Sequence, residues 1–412
     1  VDRILVESAG RPLRDAAHGA RTTIVLRAAS EEFLRAGVAA ADLPAIAGGV
    51  GLTRASLYNY CTGREDLARQ CYLATLGTLR LHLNQASLSG TCGLDAVLSF
   101  VREVSGSGQP IAAIAAELDL LPVDARAEIE AAQTVAFDAL AALIGAGIAD
   151  GSIRPCDPGL AARTIWGLAF WTPLGAMWAG RTRDGMVERM AAGLPELIER
   201  GIVSDAARPR SGALAADMLD GIWDTAPDDR REEIARSASA LFNRRGVEGV
   251  SLNHVAAAMG ATKGLLYHHF DSKAELVRHC FERGFAIYDR ILSRAAEAPD
   301  GLERVRRGIG LNAMAQLCAL HPLSLNAFFR RLPEADSRRF TTLVDALLDR
   351  SVETARIGIA EGLLRDFDTA PIALLSAGAF LFLSRWIATG DADAAARVAA
   401  EISDLLIRGI RT

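Results

Sequence analysis

Lysine is almost missing from this chain: Lys263 and Lys273 are its only two, and the rest of its cationic side chains are arginine. Aromatic residues make up only 6% of the sequence and strand-favouring residues are sparse, which leans away from sheet folds and toward helices. Six cysteines occur without a CxxC pair or regular spacing, so a disulfide framework is not expected and reduced thiols in a cytoplasm are. No N-terminal apolar run resembles a signal peptide. The most apolar stretch, residues 372–383, is interrupted by Ser376 and Gly378 and is too short to span a bilayer, so no membrane partner is expected. There is no GxSxG, no P-loop, no dinucleotide fingerprint and no HExxH, so neither an enzyme nor a bound cofactor or metal is expected. The net charge of −5 argues against a general nucleic-acid coat but leaves room for a locally basic docking face.

What is present is a repeat. The chain has 412 residues, enough for two or three domains. "GLTRASLYNYCTGREDL" (51–67) echoes "GATKGLLYHHFDSKAEL" (260–276). The shift that carries Gly51 onto Gly260 aligns residues 21–72 with 230–281 without a gap. It pairs Phe33 with Phe242, Gly37 with Gly246, Leu43 with Leu252, Thr53 with Thr262 and Tyr58 with Tyr267. The echo returns in "GIADGSIRPCD" (147–157) and "GIAEGLLRDFD" (358–368), and again in "LPELIERGI" (194–202) and "ISDLLIRGI" (402–410). The unit is therefore a whole module, used twice in tandem. Residues 204–227 between the copies read as a polar, Pro- and Gly-broken linker. Residues 1–20, with Arg3, Arg11 and Arg14, read as an N-terminal arm.

The repeated segment reads as helices. Ile234, Ala238, Leu241 and Phe242 form one apolar stripe, closed by Gly246. Leu252, Val255, Ala256 and Met259 form a second, with Ser251 as N-cap. Gly260 breaks it. Thr262 caps a short third helix whose inward residues are Leu266 and Phe270, and Ser272-x-x-Glu275 opens a fourth with a capping-box pattern. Thr62-x-x-Glu65 is the matching box in the first copy. Two short helices about a glycine turn make a helix-turn-helix. The outward face of the third helix carries Lys263 and Tyr267, four apart, with Gly264 and His268 in the adjoining row. The adjacent His268 and His269 point about 100° apart on a helix, which disfavours a shared metal. Thr262 and the helix N-terminus offer donors to phosphate, so the face suits a DNA groove.

"SLNHVAAAMGATKGLLYHHFDSKAEL" resembles the DNA-binding region of the tetracycline-repressor (TetR) family of bacterial regulators. The second copy matches the pattern nearly throughout. In the first, Arg54 stands for the lysine, Ala55 for the glycine, Tyr60 for the histidine, Cys61 for the phenylalanine and Arg64 for the second lysine. The resemblance implies an all-α fold of two tandem modules. Each would have an N-terminal three-helix DNA-binding domain (21–66 and 228–275) and a helical ligand-binding and dimerisation domain (67–203 and 276–412). It implies double-stranded operator DNA and a small effector as partners. By position, Thr262, Lys263, Gly264, Tyr267, His268, His269 and Lys273, with Ser251, would contact DNA. The first copy would offer Thr53, Arg54, Tyr58, Asn59, Tyr60 and Arg64.

The last two helices of such a module usually pair with a partner's. Here they would be 157–180 with 184–201, and 369–389 with 392–410. A tandem chain could then complete the four-helix interface as an intramolecular pseudo-dimer, with recognition helices about 34–36 Å apart. A homodimer of tandem chains with four helix-turn-helix units is the competing assembly. Trp166, Phe170 and Trp171 in the first copy, and Met314, Leu317, Phe328, Phe329 and Phe380 in the second, are candidates to line an apolar effector pocket. The main expectation is a ligand-released repressor. The alternative is an effector-binding or scaffold protein whose first helix-turn-helix no longer contacts DNA.

Overall fold

The computed structural model describes residues 2–106, 117–179, 185–208, 212, 214–223, 229–324, 332–387 and 391–412, with side chains from residue 19 onward except those of 178 and 216. Phe328 and Phe329 lie outside the described residues. Every regular element among the described residues is helical, and two isolated antiparallel bridges are the sole extended pairings there.

The chain divides into two compact units. The first comprises residues 1–79 and 108–134. It holds α1 (Asp2–Ala36), α2 (Leu43–Gly49), α3 (Arg54–Leu57) and the start of α4 (Arg64–Ser89). Helix α1 runs Asp2–Ala36, so residues 2–20 of the stretch set apart as an arm are part of the first helix, as its alanine- and arginine-rich second half favours. Glu117 accepts a hydrogen bond from the Val38 backbone, and Arg69 pairs with Glu128 at 2.7 Å. These tie the segment 117–134 to the helix-turn-helix.

The second unit comprises residues 80–107 and 135–412. From the first repeat it takes α5 (Gly93–Gly106), most of α6 (Val123–Asp150), α7 (Pro158–Trp178) and α8 (Met186–Arg200). From the second it takes α9 (Arg230–Arg245), α10 (Leu252–Ala258), α11 (Lys263–His269), α12 (Lys273–Ala296), α13 (Gly301–Leu317), α14 (Glu334–Ala360), α15 (Thr369–Ser376), α16 (Leu383–Trp386) and α17 (Ala392–Arg408). Helices α7 and α8 pack on one another and on α15 and α17, so the four carboxy-terminal elements of the two repeats meet in one bundle.

The expected helix over 369–389 is broken. A 3₁₀ turn at Ala377–Ala379 separates α15 from α16. The reason is close backbone contact: a Cβ on Gly167 of α7 would lie 2.4 Å from the Gly378 carbonyl oxygen, and one on Gly378 would lie 2.5 Å from Cβ of Trp171. Residues 369–386 and α6 are each apolar and long enough to cross a bilayer by composition, but the former is this interrupted segment, packed on α7, α8 and α14.

The linker is a second departure. Leu214 and Ile222 are buried, Arg290 and Arg294 donate to the carbonyls of Ile222 and Met218, and the Arg290 guanidinium lies 4.7 Å from the Trp223 ring centre. A stretch that reads as a polar spacer is therefore laid along α12 and α13, because its few apolar residues fall where those helices leave a groove.

Candidate functional site

The second helix-turn-helix is built by local chemistry. Ser251 caps α10 reciprocally with His254: its hydroxyl accepts from the His254 N–H at 3.2 Å, and the Ser251 N–H donates to His254 Nδ1 at 3.3 Å. Gly260 then takes φ +62°, a left-handed turn that favours glycine, and Gly51 at φ +67° does the same in the first copy. Thr262 Oγ1 accepts from the Leu265 N–H and starts α11. Leu266 and Phe270 are buried, as their spacing predicts, while Thr262, Lys263, Gly264, Tyr267 and His268 are exposed and His269 is half-buried. Lys263 Nζ lies 5.3 Å from the Tyr267 ring centre, so the two share one face. The rings of His268 and His269 sit edge to face, 5.1 Å apart, and no cluster of three or more metal-ligating side chains occurs among the described residues.

Arg231 on α9 holds the far end of α11, a role that its sequence position did not signal. Its guanidinium lies over the Phe270 ring at 4.2 Å, donates to the His269 carbonyl and pairs with Glu275 at 2.8 Å. The hydrogen bond from Arg231 holds the Glu275 carboxyl below its usual range, helped by the Asp271 N–H. The Ser272 hydroxyl accepts from the Glu275 N–H, but the Glu275 carboxylate reaches back to Asp271, one residue before the expected cap. Lys273 stands 3.7 Å from Glu248 and so already has an acidic neighbour.

The first helix-turn-helix repeats the plan with a shorter recognition element. Thr53 Oγ1 accepts from the Ser56 N–H at 3.1 Å, Leu57 is buried, and Tyr58 is 47% exposed, the same as Tyr267. Arg54 and Asn59 are exposed and Tyr60 is half-buried. Helix α3 spans four residues against seven in α11. Cys61 fills the place of Phe270, and the position of Arg231 is taken by Thr22, so the guanidinium–ring contact that braces α11 has no counterpart here. Arg64 departs from its expected role: it turns into the protein and donates to the Ala39 carbonyl at 2.8 Å. The Thr62 capping pattern also closes differently, the Thr62 N–H donating to Asp66 and not to Glu65.

A cavity of about 150 Å³ opens in the second module. Its walls come from α12 (Tyr288, Leu292), α13 (Arg304, Gly308, Asn312), α14 (Val344, Leu348) and α15 (Ile372, Ser376), with Phe380 beyond. Leu197 and Ile202 of the first repeat close one side. Of the effector-pocket candidates among the described residues, only Phe380 lies on this wall. Met314 and Leu317 are buried in α13 but do not line it. Trp171 belongs to the bundle: its Nε1 donates to the Leu374 carbonyl at 2.8 Å. Trp166 and Phe170, with ring centres 5.1 Å apart, form an aromatic core together with Phe137, which also touches Trp386. Helical spacing showed these residues to be inward-facing, but not which of several interiors they face.

Exposed recognition helices on glycine-turned pairs, carried by helical bundles, define an all-helical protein of the helix-turn-helix class. Residues 234–280 match the sequence model of "Bacterial regulatory proteins, tetR family", and residues 95–175 match that of "Tetracyclin repressor-like, C-terminal domain". The chain is 33% identical over 106 residues to the "Probable HTH-type transcriptional regulator ArpR" of Pseudomonas putida, covering 26% of this chain and 48% of that protein. It is 32% identical over 106 residues to the "HTH-type transcriptional regulator TtgR", also of Pseudomonas putida, with the same coverage. The chain thus spans about half the length of the curated relatives it matches. Among solved structures, the TetR family transcriptional regulator PfmR from Thermus thermophilus is 25% identical, with a TM-score of 0.38 over 45% of this chain and 100% of that one. Two segments, one in each repeat, thus match sequence models of the TetR family.

Proposed function

We propose that this chain is a sequence-specific DNA-binding transcriptional regulator of the cytoplasm, a repressor released from its operator by a small, largely apolar effector, and that its tandem modules form a pseudo-dimer within one chain. The observation that carries the DNA-binding reading is the face of α11. Lys263 and Tyr267 stand side by side, exposed, on a helix whose opposite side is fully buried. Lys263 and the capped N-terminus of α11 meet phosphate, and Tyr267, His268 and the close approach allowed by Gly264 serve the groove.

Two observations support the tandem reading. The match to the carboxy-terminal family model precedes the match to the amino-terminal one, an order that a single module does not produce. The terminal helices of the two repeats also pack together, and they exchange bridges, Ile153 with Arg411 and Leu364 with Val203.

A route from cavity to DNA supports the release mechanism. Tyr288 borders the cavity; its hydroxyl donates to the Leu323 carbonyl and accepts from Gln316 Nε2 at 2.8 Å. Asn243, on the first helix of the second helix-turn-helix, donates to the Pro322 carbonyl and accepts from the Ser324 N–H at 2.7 Å. Residues 322–324 are thus clamped between the cavity wall and α9. An effector that displaces Tyr288 shifts this clamp and with it α9, so effector and operator weaken each other reciprocally.

The alternative, in which the first helix-turn-helix no longer reads DNA, is favoured by one specific observation, the four-residue α3 with Arg64 tied to Ala39. Selection of bound sequences from randomised duplexes with the intact chain, followed by the mass of the complex, tests both. Two unlike half-sites bound by one chain support the pseudo-dimer with both units active. A palindrome bound by two chains assigns sequence reading to one unit per chain. No enriched sequence overturns the proposal.

A further inference from the structure

The cavity wall carries an unused charge. Most of its polar side chains are committed to their own helices: Ser351 to the Leu347 carbonyl, Thr354 to Arg350, Ser376 to Ala373, and the Asn312 amide to Gly308. Arg304 is the one charged side chain among the described lining residues. Its Nε donates to the Ala298 carbonyl at 3.0 Å, and among the described residues it makes no ion pair. Glu303 beside it is taken by Arg306 and Arg307, at 2.7 and 3.1 Å. The terminal nitrogens of Arg304 are therefore left with donors and a full positive charge at the edge of a space that is otherwise apolar. A guanidinium in that setting selects a carboxylate, which it can meet with two parallel hydrogen bonds.

Position adds direction. Arg304 lies in the first turn of α13 and Asn312 lies eight residues further along the same wall, about 12 Å at the helical rise. Tyr288, the residue joined to the α9 clamp, faces the cavity from α12. We infer that the effector is an apolar acid, with its carboxylate on Arg304 and its hydrocarbon body running along α13 toward Asn312 and Tyr288. The anion anchors the molecule, and the tail fills the space beside the residue that reports to the DNA-binding helices. Leu197 and Ile202 line the same space, so the site is completed by the last helix of the first repeat and the residues just after it.

This inference rests on the cavity being the effector site, and the test separates the two. The full chain is titrated calorimetrically at neutral pH with submicellar decanoate, 1-decanol and decylamine, which share a tail and differ in charge. Decanoate is expected to bind about tenfold or more tightly than decanol, the scale of one charge-assisted hydrogen-bonded contact, and decylamine most weakly. Arg304→Gln should bring decanoate down to the level of decanol and leave decanol unchanged. Gly308→Leu, whose new side chain grows from a wall position with its nearest neighbours at 4.0 Å, should fill the space and weaken all three probes while helicity is retained. Equal binding of decanoate and decanol, both lost in Gly308→Leu, would keep the cavity and overturn the anionic effector. Binding indifferent to Gly308→Leu, or no binding by any probe, would overturn the cavity reading and the inference with it.

Discussion

Arg154 donates from Nε to the carbonyl of Gly409 at 2.7 Å, and at the equivalent place Arg365 makes the same 2.7 Å bond to Gly201. The likeness extends outward. Arg154 pairs with Asp404 at 2.7 Å and Arg365 with Glu196 at 2.8 Å. The Arg154 N–H donates to the Ile410 carbonyl and the Arg365 N–H to that of Ile202. Each repeat thus places the arginine after its long helix, α6 or α14, against the end of the other repeat's last helix. The same set of contacts is thus made twice between the two repeats, once in each direction.

That interface is sensitive to volume where backbones touch. Gly167→Val places methyl groups into the space of the Gly378 carbonyl and should destabilise the chain by about 3 kcal/mol, measured by urea denaturation. Gly77→Ala, on exposed α4 with nothing within 4 Å of the new Cβ, should instead stabilise by up to about 1 kcal/mol through helix propensity alone.

The DNA face should separate by role. Lys263→Ala is expected to weaken operator binding and reduce the magnitude of its salt slope by about one, as loss of one phosphate contact does. Tyr267→Ala should weaken binding with little change in that slope. Titrations at several salt concentrations decide. Wild-type affinity in both variants would remove α11 from the interface.

Arg231 should matter without touching DNA. Arg231→Ala removes the contact with Phe270, the bond to the His269 carbonyl and the partner of Glu275. We expect faster amide exchange across α11 and a loss of operator affinity of about 1–2 kcal/mol. Unchanged exchange would mean that Phe270 packing alone holds the helix.

Stability should fall on mild acidification. Burial pushes the His279 and His321 imidazoles below their usual 6.5, with Arg231 and Arg283 respectively adding to the effect. Both are thus more readily protonated in the unfolded chain than in the folded one. Their contribution is complete above about pH 6.5 and is lost as pH falls from there through the depressed folded values. Melting temperature should therefore drop between pH 7.5 and 5.5. His279→Gln, which installs the residue that Gln70 supplies at the equivalent place in the first copy, should flatten that drop. An unaltered pH profile would show that His279 is not responsible.

Much of the second helix-turn-helix was legible from neighbouring residues. Ser251, Thr262 and Ser272 each cap the helix that follows, Gly260 turns with positive φ, and Leu266 and Phe270 face inward. Such features depend on groups within four residues of one another, so spacing suffices to read them. Arg64 was not legible in this way, because the Ala39 carbonyl that captures it comes from a different helix connection. Nor was the docked linker, whose Leu214 finds its place only beside Gly310 on α13.

By itself, then, the sequence determined the helical class, the duplication, the helix-turn-helix pairs and the faces they bury, because propensity, capping and periodicity are properties of contiguous residues. Tertiary structure alone decided which buried faces meet. It sent Trp171 to the bundle and Trp166 and Phe170 to an aromatic core, broke the helix after Ser376 against Gly167, and set Tyr288 and Arg304 on one cavity with Leu197 from the other repeat. The physical reason is that burial rewards any apolar neighbour alike, so an apolar stripe specifies that it will be covered and not by what.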